Sequence, residues 1–201
     1  MGYLQREELD PDPFREFARW FGLASESDID EPNAMSLATA SSNGVVSVRT
    51  VLLKYWDADG FVFFTNYGSR KARQIEENAN VGLLFYWPTL HRQVRIEGTA
   101  IRISMKESLT YFATRPRGSQ LGAWCSAQSS VVSSRALLQA KFAEVKEKFM
   151  NREIPLPSLW GGYRVVTRHI EFWQRGEDRL HDRFLYELDA DGMWTIKRLA
   201  P

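Results

Sequence analysis

The chain has 201 residues, of which 44% are hydrophobic and 25% are charged, and its formal net charge at pH 7 is +1. This composition is typical of one globular domain with its own core, and it excludes disordered and fibrous classes. A net charge near zero also argues against nucleic acid as a partner, because such proteins usually carry a basic excess on one face.

Cysteine content and hydropathy predict a cytoplasmic protein without a membrane segment. Cys125 is the only cysteine, so neither an intrachain disulfide nor a thiolate metal cluster is expected. The longest apolar run, 81–87, is too short to cross a bilayer, and the N-terminus lacks a basic-then-apolar signal pattern. We therefore expect no metal site and no membrane partner.

The first half of the chain predicts a helix followed by an antiparallel meander. Phenylalanines at helical spacing, with Asp10 and Asp12 as candidate caps, predict a helix over 13–23. Turn signals at Asn43-Gly44 and Asp57-Ala58-Asp59-Gly60 separate the next elements. The strands predicted around these turns cover 35–40, 45–56 and 61–66.

The second half alternates helices and strands. A helix over 68–78 is followed by strands over 81–87 and 92–103, and Ser104 caps a helix that ends before Pro116. The prolines of 155–157 end a later helix whose apolar stripe is Leu138, Phe142, Val145 and Phe149. The closing strands are predicted over 163–173, 183–188 and 193–199.

This order of elements predicts a mainly β fold with inserted helices, in the form of a small β-barrel in a single domain over 1–201. Residues 1–12 are expected to form a flexible N-terminal arm. No G-x-G-x-x-G follows a strand, so a Rossmann dinucleotide site is not expected.

Three segments, 49–54, 68–71 and 111–119, mix fixed cations with hydroxyl groups. Arginine forks, lysine charges and hydroxyls together make phosphate sites, so two such cages would suit two phosphorylated ligands. The alternative is that these are ordinary solvated cations, but their clustering argues against it. Tyr111 and Arg115 are four residues apart and are predicted to share a helix face, with Ser119 just beyond.

An odd separation makes the first of these segments unusual. Arg49 and Lys54 would face opposite sides of a regular strand. For both side chains to contact the same ligand, the strand would need a bulge or an end between them, or one of them would have to come from a second subunit.

His181 is the histidine with the most suggestive neighbours. In an extended segment, Arg179 and Arg183 would project to the same side as His181, while Asp182 would point away. A histidine of this kind is a candidate general base, but flanking cations disfavour that role and favour one in positioning. Trp173 is equally compatible with a core position and with a site.

At these residues the chain resembles pyridoxine (pyridoxamine) 5′-phosphate oxidase. The resemblance runs from about residue 10 to the C-terminus and rests on long, specific strings. They are RTVLLK at 49–54, FFTNYGSRKARQIEEN at 63–78, RQVRIEG at 92–98, YFATRPRGSQLGAW at 111–124, QSS at 128–130, PLPSLWGGYRV at 155–165, EFWQRGEDRLHDRFLY at 171–186 and RLAP at 198–201.

The resemblance implies an FMN-binding split β-barrel that forms a homodimer, with two FMN molecules in clefts between the subunits. Carried over by position, the cofactor contacts would be Arg49, Thr50, Val51, Leu52, Leu53, Lys54, Phe64, Thr65, Arg70, Lys71, Gln93, Gln128, Ser129, Trp173 and Arg183. The substrate's phosphate would meet Lys54, Tyr111, Arg115 and Ser119, and Arg179 and His181 would cover its pyridine ring as the catalytic pair.

The activity implied is oxidation of pyridoxine 5′-phosphate or pyridoxamine 5′-phosphate to pyridoxal 5′-phosphate, with O2 as acceptor and H2O2 as product. Family members often carry an Arg-x-x-Tyr segment that folds over the substrate, and the sequence begins after the position of that segment. The alternatives are a related split-barrel oxidase of another ring substrate, such as the phenazine-pathway relatives, and a non-catalytic FMN- or pyridoxal-phosphate-binding protein.

Overall fold

In the computed structural model, which describes residues 2–126 and 128–201, the chain is built on one antiparallel sheet with helices at its edges. The strands are β1 Ala34–Ala40, β2 Val46–Leu52, β3 Tyr55–Asp57, β4 Gly60–Asn66, β5 Asn80–Trp87, β6 Arg92–Arg102, β7 Trp160–Gln174, β8 Asp182–Leu188 and β9 Trp194–Arg198. The helices are α1 Pro13–Glu26, α2 Arg70–Glu77, α3 Met105–Thr114, α4 Arg117–Cys125 and α5 Arg135–Lys148. Short 3-10 turns cover Arg6–Glu8, Pro88–Leu90 and Glu177–Arg179.

The sheet is long enough to curl on itself. Its main order is β2-β1-β5-β6-β7-β4-β3, and β8 and β9 extend it from β7. Strands β2 and β4 are not hydrogen-bonded neighbours, yet they come into contact across the curl. The predicted barrel with inserted helices is therefore confirmed as the architecture.

Helix α1 closes the barrel with aromatic side chains. Asp12 caps the helix by accepting a hydrogen bond from the amide of Phe14, and Pro13 occupies the first turn, where no amide is needed. Phe17 is fully buried, with its ring 4.8 Å from that of Phe61 and 5.1 Å from that of Phe85. Edge-to-face packing of this kind makes α1 part of the main core.

A second, smaller core lies where α3, α4 and α5 meet the start of β7. Its buried members are Phe112, Leu121, Phe149, Ile154 and Trp160. This cluster positions the helical segments that border the first cleft described below.

Three sequence predictions need correction. The single strand over 45–56 is two strands, because Leu53 turns into the core and bonds to the carbonyl of Asn33. Helix α4 was not predicted, since Gly118 and Gly122 weaken its helical signal and Pro116 offers no side-chain cap. The stripe of α5 is only partly buried: Phe149 lies in the second core, whereas Leu138 and Phe142 are exposed.

The N-terminal segment lies against the ends of β7, β8 and β9. Leu4 and Leu9 are buried. The amide of Leu4 donates to Asp182 at 3.0 Å, and its carbonyl accepts a hydrogen bond from Arg198 at 2.8 Å. The segment is docked in this structure, while its predicted flexibility remains a prediction about motion.

None of the helices in residues 2–126 and 128–201 is long and apolar enough to span a membrane.

Candidate active site

The first cleft opens beside the ends of β2 and β4 and has a volume of ≈ 610 Å³. Helices α3 and α4 form its opposite wall. Residues from all three cation-rich segments or their flanks line it. The sequence-predicted residues among them are Thr50, Val51, Leu52, Lys54, Phe64, Thr65, Lys71, Tyr111, Arg115, Ser119 and Gln128.

Lys54 enters this cleft because β2 ends before it. Strand β2 stops at Leu52, and Leu53 is buried. The amide of Lys54 then donates to the carbonyl of Val62 at 2.9 Å. Arg49, by contrast, is not among the lining residues of this cleft, and its side chain donates to Leu37, Thr39 and Ser47.

One wall of the cleft is a stack of aromatic rings. The ring of Phe64 lies 4.1 Å from that of Tyr111 and 5.1 Å from that of Trp160, with interplanar angles of 20° and 11°. The guanidinium of Arg115 lies 4.6 Å from the centre of the Trp160 ring. This arrangement holds a cation at a fixed place beside a flat apolar surface.

Arg115 lies just outside helix α3, which corrects the prediction that it shares a helix face with Tyr111. Helix α3 ends at Thr114, and Arg115 has extended backbone angles, as expected before Pro116. Both side chains nevertheless line the same cleft. Burial lowers the pKa of Arg115 from its ordinary value.

The Arg115 side chain has an unfilled hydrogen-bonding capacity. Its Nη1 atom is buried and has no partner among residues 2–126 and 128–201. A buried guanidinium nitrogen without an acceptor is costly unless a ligand supplies one. This observation fits an anionic group, such as a phosphate, against Arg115.

A second group of cations lies next to Thr65 and Gln128. Lys71 donates to the Gln128 side-chain oxygen at 2.9 Å and to the Thr65 hydroxyl at 3.1 Å. Burial and the charge of Arg49 lower the pKa of Lys71 to about 8. Burial and the charge of Arg70 lower the pKa of Arg49. These three cations therefore act on one another.

Hydroxyl and amide groups surround these cations. Arg49 donates to the carbonyl of Leu37 and to the hydroxyls of Thr39 and Ser47. The amide of Arg70 donates to the Ser129 hydroxyl at 3.2 Å.

The predicted cations of the two phosphate places have no acidic partner among residues 2–126 and 128–201. These cations are Arg49, Lys54, Arg70, Lys71 and Arg115. An unneutralised set of cations, partly removed from water, favours binding of a small anion.

A second cleft, also of ≈ 610 Å³, lies at the far end of β7. The sequence-predicted residues Arg179 and His181 line it together with Tyr3, His91 and Gly176. The His181 ring centre lies 4.7 Å from that of Trp173. The proposed catalytic pair is thus in the second cleft and not in the first.

Three further predicted residues stand side by side across neighbouring strands. Gln93 on β6 pairs with Trp173 on β7, and Trp173 pairs with Arg183 on β8. Directly opposed residues share a sheet face, so these three side chains form one row.

Arg183 is neutralised, which corrects the prediction that His181 lies between two free cations. Its Nε and Nη2 atoms bind the two oxygens of Glu171 at 2.8 and 3.2 Å. These hydrogen bonds raise the pKa of Arg183. Asp182 faces away and binds the Leu4 amide and Arg198.

The segment before Asp182 is not extended, so the condition under which Arg179, His181 and Arg183 would project to the same side is not met. Glu177–Arg179 is a 3-10 turn in which Asp178 and Arg179 have φ angles of 49° and 64°. Consecutive left-handed residues other than glycine are uncommon, and sequence alone does not reveal them.

The two clefts are far apart in a single chain. Trp160, in the first, begins β7, and Trp173, beside the second, lies 13 positions along the same strand. At about 3.3 Å per residue, they are separated by up to roughly 40 Å along the strand. The structure therefore divides the predicted site residues into two groups that one chain does not bring together.

Two contributors were missed by the sequence reasoning. Trp160 is not among the predicted site residues, although an aromatic residue shortly after Pro155-Leu156-Pro157 is a usable signal. Glu171, which orients Arg183, was also passed over. Alternation around Trp173 places Glu171 on the face of Trp173, which would have identified it.

Comparison with known proteins shows similarity to one protein family over nearly the full length of the chain. Residues 24–149 match the family model described as pyridoxamine 5′-phosphate oxidase, and residues 160–201 match that of the pyridoxine 5′-phosphate oxidase C-terminal dimerisation region. A pyridoxine/pyridoxamine 5′-phosphate oxidase of Crocosphaera subtropica is 63% identical over 98% of this chain and 94% of its own. One from Escherichia fergusonii is 54% identical over 100% and 91%.

Solved structures agree on the fold. PhzG from Burkholderia lata, in complex with tetrahydrophenazine-1-carboxylic acid, superposes with a TM-score of 0.93 at 30% identity, over 100% of this chain and 98% of that one. A pyridoxamine 5′-phosphate oxidase-related, FMN-binding protein from Nostoc punctiforme has a TM-score of 0.74 at 18% identity, over 94% and 97%. The latter supports the fold alone.

The curled antiparallel barrel with inserted helices is the split-barrel fold of these two solved structures. Within that fold class, the chain belongs to the pyridoxamine 5′-phosphate oxidase family, a family of oxidoreductases. The prediction made from the sequence strings is therefore confirmed at the level of the family.

Proposed function

We propose that the protein is an FMN-dependent oxidase that converts pyridoxine 5′-phosphate or pyridoxamine 5′-phosphate to pyridoxal 5′-phosphate, with O2 as acceptor and H2O2 as product. The observation that carries the proposal is the first cleft, where cations without carboxylate partners flank an aromatic wall. We also propose that the protein acts in the cytoplasm. The chain has one cysteine, Cys125, which is free, and free cysteines are typical of proteins in a reducing compartment.

Two groups of cations offer separate places for phosphate. Lys54, Lys71 and Arg115 line the first cleft, whereas Arg49 and Arg70 are not among its lining residues. We assign the FMN phosphate to Arg49, Arg70 and Lys71, which act on one another electrostatically, with Ser129 and Gln128 beside them. The substrate's phosphate is assigned to Lys54, Tyr111, Arg115 and Ser119. The unpartnered Nη1 of Arg115 supports this second assignment.

The remaining predicted contacts are assigned to the flavin and the substrate ring. The backbone of 50–53, with Phe64 and Thr65, and the row of Gln93, Trp173 and Arg183 would hold the flavin. FMN held there would supply the hydride acceptor for the C4′ carbon of the substrate and the route of the electrons to O2. Pyridoxine 5′-phosphate would also lose its hydroxyl proton, whereas pyridoxamine 5′-phosphate would lose an amine proton, take up water and release ammonia. Arg179 and His181 would hold the pyridine ring in place, so the protein's contribution is mainly orientation.

A second copy of the chain is needed to complete each site. Among the described residues, none lines both clefts, and the residues that would meet one flavin lie at opposite ends of β7. A homodimer with the first cleft of one subunit facing the second cleft of the other would join them. The C-terminal match to a dimerisation region supports this arrangement.

Mixed dimers test the arrangement. Arg115→Ala damages the first cleft and Arg179→Ala damages the second, so at substrate concentrations far below KM each homodimer should have low oxidase activity. In a dimer with one of each, one site carries both lesions and the other carries neither. Refolding an equal mixture should restore about a quarter of wild-type activity, since half of the dimers are mixed and half of their sites are intact.

The matched control is an equal mixture of Arg115→Ala and Ser119→Ala, two lesions in the same cleft, which should restore nothing. Failure of the first mixture to recover activity, with mixed dimers shown to form, would place the complete site within one chain.

The lowered pKa of Lys71 predicts how FMN binding depends on pH. A dianionic phosphate favours the charged ammonium, so above a pKa of about 8 the free protein must take up a proton to bind. The FMN affinity should be constant at lower pH and fall by up to about tenfold per pH unit above that value. Lys71→Arg, which stays charged, should remove this dependence.

Flavin fluorescence titrations from about pH 7 to about pH 9 give the dissociation constants for both proteins. An equal fall in wild type and Lys71→Arg would mean that Lys71 is not the titrating contact.

A second candidate function comes from the close superposition with PhzG. The cationic first cleft accepts anions in general, so a ring carboxylate is an alternative ligand to a phosphate. Oxygen uptake by the FMN-loaded protein with pyridoxine 5′-phosphate, and in parallel with tetrahydrophenazine-1-carboxylic acid, decides between the two. Uptake with neither, in protein that binds FMN, would favour the non-catalytic binding role.

A further inference from the structure

We propose that the backbone amide of Gly176 fixes His181 in one tautomer, so that the imidazole presents an Nε2–H donor in the second cleft. This assignment makes Gly176 a positioning residue for His181. The kinetic part of the inference rests on the proposed oxidase function, whereas the tautomer itself does not.

The hydrogen bond between these two residues has a defined direction. The amide nitrogen of Gly176 lies 3.3 Å from Nδ1 of His181. A backbone amide can only donate, so Nδ1 must be the acceptor. In the neutral imidazole, the proton is then carried on Nε2. The centre of the Trp173 ring lies 4.7 Å from that of the His181 ring, so the indole packs beside the imidazole and limits its movement.

The position next to this bond has room only for glycine. A Cβ atom at Gly176 would lie 1.9 Å from the carbonyl oxygen of Leu180 and 3.3 Å from the amide nitrogen of His181. The φ angle of Gly176 is −107°, which any residue adopts, so the restriction is one of space and not of backbone conformation.

The obstructing atoms belong to the backbone of a tight turn. The amide of Leu180 donates to the carbonyl of Glu177 at 2.8 Å, and that of His181 donates to the carbonyl of Arg179 at 3.0 Å. Asp178 and Arg179 both adopt the left-handed conformation in this turn. A side chain at Gly176 would therefore displace the segment that carries both Arg179 and His181.

The chemical consequence concerns which nitrogen faces the ligand. With Nδ1 engaged by Gly176, the free position of the ring is a donor. A donor suits an oxygen acceptor on the ligand, and it is the wrong form to remove a proton. The turn thus selects a positioning role for His181 over a role as general base.

Nitrogen NMR of protein labelled with ¹⁵N-histidine measures the tautomer directly. The His181 signals are identified by their loss in His181→Gln, which separates them from those of His91 and His169. At a pH where the imidazole is neutral, wild type should show a protonated Nε2 and an unprotonated Nδ1. Gly176→Ala should shift the signals towards the other tautomer or a mixture.

Kinetics and ligand binding give the second readout. Gly176→Ala should weaken equilibrium binding of pyridoxal 5′-phosphate and raise KM for pyridoxine 5′-phosphate, each by about tenfold, with FMN content unchanged. The matched control is Gly22→Ala, where an added Cβ meets no atom within 4 Å. It should behave as wild type.

Each outcome decides the inference. A protonated Nδ1 in wild type would overturn it, and this measurement stands even if Gly176→Ala fails to fold. Unchanged signals and unchanged ligand binding in a folded Gly176→Ala variant would overturn it as well. A wild type with the expected tautomer but no oxidation of pyridoxine 5′-phosphate would instead overturn the proposed function.

Discussion

Replacing Arg115 by alanine should raise KM for pyridoxine 5′-phosphate by roughly 10- to 100-fold, as expected for loss of one charge-assisted phosphate contact. The Arg115 guanidinium is held against the Trp160 ring, and its Nη1 has no partner in the described residues. The phosphate contact that we propose for Arg115 would therefore be prepared before the ligand arrives. Such preorganisation makes the loss large for a single side chain.

The FMN content of Arg115→Ala should be unchanged, because the other cation group, around Lys71, is bonded to Thr65 and Gln128 and not to Arg115. Steady-state kinetics and the flavin absorbance of the purified variant check both statements. Loss of flavin together with substrate affinity would show that the two phosphate places are not separable.

Two further variants sharpen the result. Arg115→Lys keeps the charge but loses the planar fork, so its KM should lie between those of wild type and Arg115→Ala. Arg135→Ala removes an exposed arginine at the start of α5, outside both clefts, and should leave KM unchanged.

The sequence was most informative about elements whose signals are local. Helix α1 and the strands around the Asn43-Gly44 and Asp57–Gly60 turns follow from phenylalanine spacing, caps and turn residues. These features act over a few residues, so no knowledge of the remaining chain is needed to predict them.

The sequence was least informative where contacts with other segments of the chain determine the local structure. The break at Leu53 depends on Asn33 and Val62, which lie far from it along the chain. In the turn at Asp178 and Arg179, both residues adopt the left-handed conformation. Because neither is a glycine, the sequence does not indicate this conformation. The charge of Arg183 is offset by an ion pair with Glu171, which lies 12 positions away on the neighbouring strand.

The candidate site illustrates the same limit. Individual residues could be predicted from family-specific strings, yet the strings say nothing about which cleft each residue enters. Only the structure shows that Arg115 and His181 belong to different clefts at opposite ends of β7. The proposal that a second chain completes each site rests on that separation.

His181→Ala should lower kcat/KM for pyridoxine 5′-phosphate by roughly 10- to 100-fold, with kcat itself falling by less than about 10²-fold. Loss of an obligatory general base typically costs about 10² to 10⁴ in rate, whereas loss of a positioning contact acts on KM and kcat together. The Nδ1 atom of His181 already accepts a hydrogen bond from Gly176, which leaves Nε2–H as a donor.

The two amide replacements separate the roles of the ring nitrogens. Glutamine places an N–H donor near the position of Nε2, and asparagine places one nearer that of Nδ1. His181→Gln should therefore retain more kcat/KM than His181→Asn. Arg179→Ala, in the same cleft, should resemble His181→Ala by raising KM and lowering kcat modestly.

The pH profile of kcat in FMN-loaded protein provides the decisive comparison. A positioning role predicts that the acidic limb of the profile survives in His181→Gln, because glutamine does not titrate and the group responsible lies elsewhere. A base role predicts that the limb disappears and that kcat falls beyond about 10²-fold in both His181→Ala and His181→Gln. Because neither alanine nor glutamine can accept the proton, that second result would assign the base to His181 and require its Nδ1 bond to Gly176 to break during turnover.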